Sequence, residues 1–279
     1  MIYFQLPKSN SFIKEFWIWD GVLASELPWI LPSYETECVF HISKPPSLHK
    51  KNPDSIIQLT DTHWVGPQNE RWKLFAEHPL QIFGIRFHPG SIFECFGIKG
   101  DYLRNQFHNV TEQVLVYCQE EIFNYLKIHN HKMDDQFLLS KEFETIENHL
   151  QTHLSIRTKI EADIKKCFTK LLLGERGIND LAKMANISRK QLERKFLKIF
   201  GMPPGELKKI HRVLSMIRDP KNYKSENQNA KLTDIAYEYN FNDQSHLIKD
   251  FKQMTGYLPK EWFALHEKMS HFYNYQKDK

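Results

Sequence analysis

Two stretches in the C-terminal half of the chain spell the same unit twice. INDLAKMANISRKQLERKFLKIFGMPP, from Ile178, and LTDIAYEYNFNDQSHLIKDFKQMTGYLP, from Leu232, align along their whole length. Asp180, Ala182 and Asn186 match Asp234, Ala236 and Asn240 at an offset of 54 residues, and Leu192, Phe196, Gly201 and Pro204 match Leu247, Phe251, Gly256 and Pro259 at an offset of 55. An internal repeat constrains architecture before any single residue does, because both copies must fold alike. Each copy reads as a short helix, a tight turn with Asn at a position that tolerates positive φ, and a longer helix. The one-residue slip falls after the turn Asn, where the turn absorbs it. Small Ala182 and Ala236 let the two helices of a unit cross closely, so each unit is a helix-turn-helix.

The second helix of the first copy carries its own start and stop. Ser188 followed by Gln191 fits a capping box, Leu192, Phe196, Ile199 and Phe200 make a buried stripe, and Gly201 with Pro203 and Pro204 ends the helix. Lys190, Gln191, Arg194 and Lys198 fall away from that stripe. Between the copies, Leu207, Ile210, Leu214 and Ile217 recur at helical spacing up to Pro220, which predicts a linker helix holding the units at a fixed separation. The polar run KNYKSENQNAK after it reads as a loop.

Charge divides the chain in the same place. Residues 1–159 hold 15 Lys/Arg against 19 Asp/Glu, whereas residues 160–266 hold 20 against 13. A basic half joined to an acidic one implies that only the former faces a polyanion. At 279 residues there is room for two domains. Up to about residue 110 short strand-like runs alternate with Pro, Gly, Asn and Asp; from Thr111 the pattern turns helical, with Phe143, Ile146, Leu150 and Leu154 forming a stripe expected to pack on the β-rich part or on a second copy. The boundary is expected near residues 150–158, giving a β-rich regulatory domain over 1–155 with trailing helices and a DNA-binding domain over 156–270. No window is free enough of charge to span a membrane, since Asp20 and Glu26 interrupt the most apolar stretch. Scattered Cys38, Cys95, Cys118 and Cys167 show no zinc-type spacing, and no secretory signal is evident, which together predict a cytoplasmic protein with reduced thiols.

Carried by these residues, a family resemblance follows. DIAYEYNFNDQSHLIKDFKQMTGYLPKEW, with its Ile-Ala pair, Phe after the turn, Gln-Ser opening the second helix, Phe-Lys and Gly-x-x-Pro, resembles the DNA-binding domain of AraC-type transcription regulators over roughly residues 160–266. Asn240 stands where that family usually has Gly, and His211-Arg212-Val213 replaces part of an Arg-rich linker-helix start. HWVGPQ and GIRFHPG more loosely resemble the sensory domains that precede such modules, which implies a cupin-like N-terminal part. The fold class is thus α+β: a β-rich, cupin-like domain followed by an all-α domain with two helix-turn-helix units and a linker helix.

The resemblance implies recognition helices that enter the major groove near their N-termini, where Arg, Lys and Gln can pair with base edges. The expected base readers are Lys190, Gln191 and Arg194 in the first unit and Ser245, His246 and Lys249 in the second. Arg189, Lys195, Lys198, Gln244 and Lys252 are the expected phosphate contacts. Expected partners are double-stranded DNA, RNA polymerase, a small-molecule effector and a second copy of the chain, with no membrane, no cofactor and no metal. In QIFGIRFHPG, alternation sets Arg86 and His88 on one strand face as a weak effector site, the alternative being that Arg86 pairs with a carboxylate such as Glu37. An enzymatic or metal-binding cupin-like domain is the rival reading. Against it, ETECVFHIS places Glu37 and His41 on the face opposite Cys38, and His129 with His131 lacks a third ligand.

Overall fold

Successive residues of a strand point to opposite faces, and IKEFWIWDGV sets Phe16 and Ile18 on one face and Trp17 and Trp19 on the other, so the strand must be covered on both sides. The computed structural model, which describes residues 2–5, 11–26, 29–49, 56–128, 136–223 and 232–265, provides two such covers. The strands are β1 (Ile2–Gln5), β2 (Ile13–Val22), β3 (Thr36–His41), β4 (Ser47–His49), β5 (Ile56–Gln58), β6 (Thr62–Val65), β7 (Lys73–Phe75), β8 (Leu80–Phe87) and β9 (Phe107–Asn109). They form an antiparallel six-stranded sheet, in the order β1-β2-β8-β3-β6-β9, and a three-stranded one, β5-β4-β7.

One face of the large sheet meets helices α3 (Gln113–Ile128) and α4 (Gln136–His153). Phe16, Phe40, Phe83 and Phe87 pack there with Leu115, Ile122, Phe143, Ile146 and Leu150 in one buried cluster. The Phe143 ring stacks on Phe16 at 5.3 Å and on Phe83 at 5.6 Å, so the apolar stripe of α4 is covered within the chain. The opposite face carries Trp17, Trp19, Val39 and Ile82, which join Leu48, Trp72 and Leu74 from the small sheet side. Two short helices, α1 (Ser91–Phe96) and α2 (Gly100–Leu103), fall in a region that the sequence reads as mostly β.

The C-terminal part is helical: α5 (Ala162–Leu172), α6 (Ile178–Met184), α7 (Arg189–Phe200), α8 (Pro204–Arg218), α9 (Leu232–Glu238), α10 (Gln244–Thr255) and α11 (Pro259–Leu265). Leu154 belongs to the sheet-side core and Ile160 to the helical one, so the change of core falls between them. An α+β chain with a β-rich N-terminal part and an all-α C-terminal part is what the residue pattern predicts. Of the run expected as a loop, Lys221 to Tyr223 belong to a single 3-10 turn, Pro220–Tyr223, while residues 224–231, together with His129 and His131, lie outside the described residues.

Candidate DNA-binding face and the cavity between the sheets

Both turns of the repeat depend on asparagine. Asn186 has φ 52° and Asn240 φ 60°, the left-handed region that Asn tolerates better than other side chains with a Cβ, so Asn240 serves where glycine is usual. Ser188 caps α7 by accepting from the Gln191 N–H while Gln191 Oε1 accepts from the Ser188 N–H, and Asp243 caps α10 by accepting from the His246 N–H. Gly201 and Gly256 close the two helices in the left-handed conformation. Linker helix α8 packs on both units, and its Lys209 and Arg212 pair with Asp250 of α10. Arg212 also donates to the Asn240 carbonyl at 3.0 Å and lies over the Phe241 ring, so it ties α8 to the second turn.

The expected DNA contacts differ in how free they are. Lys190, Gln191, Arg194 and Lys198 are exposed on α7, as are Gln244, Ser245, Lys249 and Lys252 on α10. Lys190 and Arg194 have no side-chain partner among the described residues, nor have Ser245, Lys249 and Lys252. Gln191 is committed to its cap through Oε1, Arg189 pairs with Glu193, Lys195 with Glu161, and Lys198 sits over the Phe93 ring at 5.5 Å. His246 is half-buried, with Nε2 3.1 Å from Asp250 and its ring edge-on to Phe241.

A second feature lies between the sheets: a cavity of about 170 Å³. Trp17, Trp19 and Trp72 line it, with His41, His63 and, at its charged end, Glu35, Glu37, Arg86 and Arg218. Strand pairing sets Gly84 opposite Trp17, and a Cβ at Gly84 would meet the indole at 2.0 Å, so only glycine lets that ring lie across the strand. Arg86 donates to Glu37 at 2.8 Å and also pairs with Glu15 and Glu35; the expected carboxylate partner is the one found. His88, by contrast, is exposed at the strand end and does not share the cavity with Arg86.

Sequence reasoning missed Glu35 and Arg218. Glu35 is 4% exposed and pairs with Lys14, Arg86 and, across the domains, Arg218 at 3.1 Å. Burial would raise its carboxyl, but Arg218, Arg86 and Lys14 together hold it well below the usual range. No local motif announces this, since the partners stand up to 183 residues apart. Nearby, Tyr34 Oη lies 3.0 Å from His211 Nδ1, and Arg104 and Asn69 both donate to Glu206 at 2.7 Å. Gly100 meets Gly201 so closely that a Cβ on the former would lie 2.3 Å from the latter's nitrogen.

A family profile described as "Helix-turn-helix domain" matches residues 181–264. The HTH-type transcriptional activator AarP of Providencia stuartii is 27% identical over 107 residues, 38% of this chain and 76% of that one. The C-terminal domain is an AraC-type helix-turn-helix domain. Its two units are the repeat, and the chain that carries it is a DNA-binding transcription regulator rather than an enzyme. Residues 7–109 match a profile described as "Domain of unknown function (DUF6597)". Among solved structures, ToxT from Vibrio cholerae O395 is 14% identical with a TM-score of 0.43, covering 95% of this chain and 96% of that one. Unsaturated fatty acid bound ToxT from Vibrio cholerae strain SCE256 is 15% identical with a TM-score of 0.43, covering 94% and 93%. No helix among the described residues is long and apolar enough to cross a membrane.

Proposed function

We propose that the AraC-type domain reads one asymmetric DNA site with both recognition helices, α7 and α10, in successive major-groove segments. The observation that carries this reading is the pairing of two capped, repeated units on one linker helix, each with free polar side chains near its N-terminal end. Lys190, Gln191 and Arg194 contact base edges in the first box; Ser245, His246 and Lys249 do so in the second. Arg189, Lys195, Lys198, Gln244 and Lys252 hold phosphates, which set register and affinity without reading sequence. Arg189 and Lys195 already have carboxylate neighbours, so there DNA exchanges a weak exposed pair for a phosphate contact.

The β-rich domain acts as the regulatory part. It grips the DNA-binding domain through Glu35–Arg218, Tyr34–His211, the Glu206 cluster and the Gly100–Gly201 contact. An effector or partner that alters this grip alters how the two units are presented, and RNA polymerase is the expected reader of the bound complex. The protein works in the cytoplasm. Selection of bound duplexes from a random pool by the full chain tests the reading. Two short conserved boxes about one helical turn, ~34 Å, apart are expected. Recovery of sequences with no shared pattern contradicts it.

A further inference from the structure

The cavity between the sheets is apolar, small and almost fully satisfied. Trp17 Nε1 donates to Glu37 at 2.9 Å, Trp72 Nε1 to Gln68 at 3.2 Å, and His63 Nδ1 lies 3.1 Å from the Thr60 carbonyl. His41 is the exception. It is 3% exposed, it lines the cavity, and neither ring nitrogen has a hydrogen-bond partner among the described residues. Leaving a buried polar group unmatched costs about 1–3 kcal/mol, and a binding site that lacks its ligand carries such a group.

The charged end of the cavity has no cation to spare. Lys14, Arg86 and Arg218 face Glu15, Glu35 and Glu37, three against three, and every one of them is paired. An anion entering here would lose its hydration without gaining an unpaired partner. Burial keeps both imidazoles neutral, pushing His63 down to about 4 and, with His63 beside it, His41 to about 3. Metal binding finds no support, because no cluster of three ligating side chains occurs among the described residues. Size narrows the occupant further, since a cavity of ~150 Å³ takes a benzene-sized guest.

We infer that this cavity binds a neutral, ring-sized hydrophobic molecule bearing a hydroxyl, the ring lying among Trp17, Trp19 and Trp72 and the hydroxyl held by His41. A neutral imidazole has one donor and one acceptor nitrogen, and a hydroxyl can match either. The inference deepens the regulatory reading of the β-rich domain and rests on it.

Calorimetry and tryptophan fluorescence on the full chain, without DNA, compare 4-ethylphenol, ethylbenzene, 4-ethylbenzoate and decanoate. At neutral pH, 4-ethylphenol is expected to bind at least tenfold tighter than the other three, because a site built to hydrogen-bond a hydroxyl rejects the analogue lacking it. His41→Leu should bring 4-ethylphenol and ethylbenzene within about threefold, and His41→Gln, which keeps a donor and an acceptor, should restore part of the difference. The wild-type ranking stands as a test even if His41→Leu fails to fold. Equal or tighter binding of either carboxylate, no binding of 4-ethylphenol, or an unchanged ranking in folded His41→Leu would overturn the inference. If 4-ethylphenol binds as expected yet leaves DNA affinity unaltered, the ligand class stands and the regulatory reading falls.

Discussion

Acidification should destabilise the β-rich domain through its buried imidazoles, and His41 makes the size of the effect computable. In the unfolded chain a histidine takes up its proton near pH 6.5, whereas burial and His63 push the folded His41 down to about 3. Between those values the unfolded state binds more protons than the folded one, so stability falls as pH falls through that window. At about pH 5 the linkage amounts to about 2 kcal/mol for this one side chain, and at pH 7 to only about 0.2 kcal/mol. His63, pushed down to about 4 chiefly by burial, acts in the same direction, so the total loss exceeds the His41 share. The comparison is therefore between wild type and folded His41→Leu, each unfolded by urea at pH 7 and pH 5 and followed by tryptophan fluorescence. The variant should lose about 2 kcal/mol less than wild type over that interval. Identical pH dependence of the two proteins would refute the reasoning, because it would mean that His41 is protonated as readily in the fold as out of it.

Gly84→Ala should drive Trp17 off its strand and cost about 1–3 kcal/mol by overpacking, read as a lower unfolding midpoint and weaker binding of 4-ethylphenol. Glu35→Gln removes the carboxylate shared by half-buried Lys14 and Arg218, while Arg86 keeps Glu15 and Glu37, and should cost about 1–3 kcal/mol; adding Arg218→Met should recover part of it, and full additivity of the two would contradict an inter-domain pair. Lys198→Ala should weaken binding to all duplexes alike and lower the salt slope by about one, measured as affinity against salt concentration.

Elements written in local periodicity could be read before the fold was seen. The capping box at Ser188, the glycines that stop α7 and α10 and the spacing of Leu207 to Ile217 each involve residues within a few positions of one another. The stripe of α4 could be found but its cover could not, because Phe143 meets Phe16 and Phe83 only once the sheet has formed. The short helices α1 and α2 are only six and four residues long, too brief to show a period. Glu35 and His41 illustrate the harder limit. A carboxylate in ETECVFHIS looks like any other until Arg218 arrives from the far end of the chain, and an imidazole shows itself unmatched only when every neighbour has been placed. His246 makes the same point for the DNA face: its place in the repeat suggests a base reader, while its contacts with Asp250 and Phe241 depend on packing.

Binding of wild type, Arg194→Ala and Lys249→Ala to a complete set of single-base substitutions in the selected site tests the two-unit account most directly. Arg194→Ala should erase discrimination worth about 1–3 kcal/mol at one position of the first box only. Lys249→Ala should do the same in the second box only. Uniform weakening across all sequences by both variants would contradict the account, and would reduce the cationic helix faces to a general attraction for polyanions.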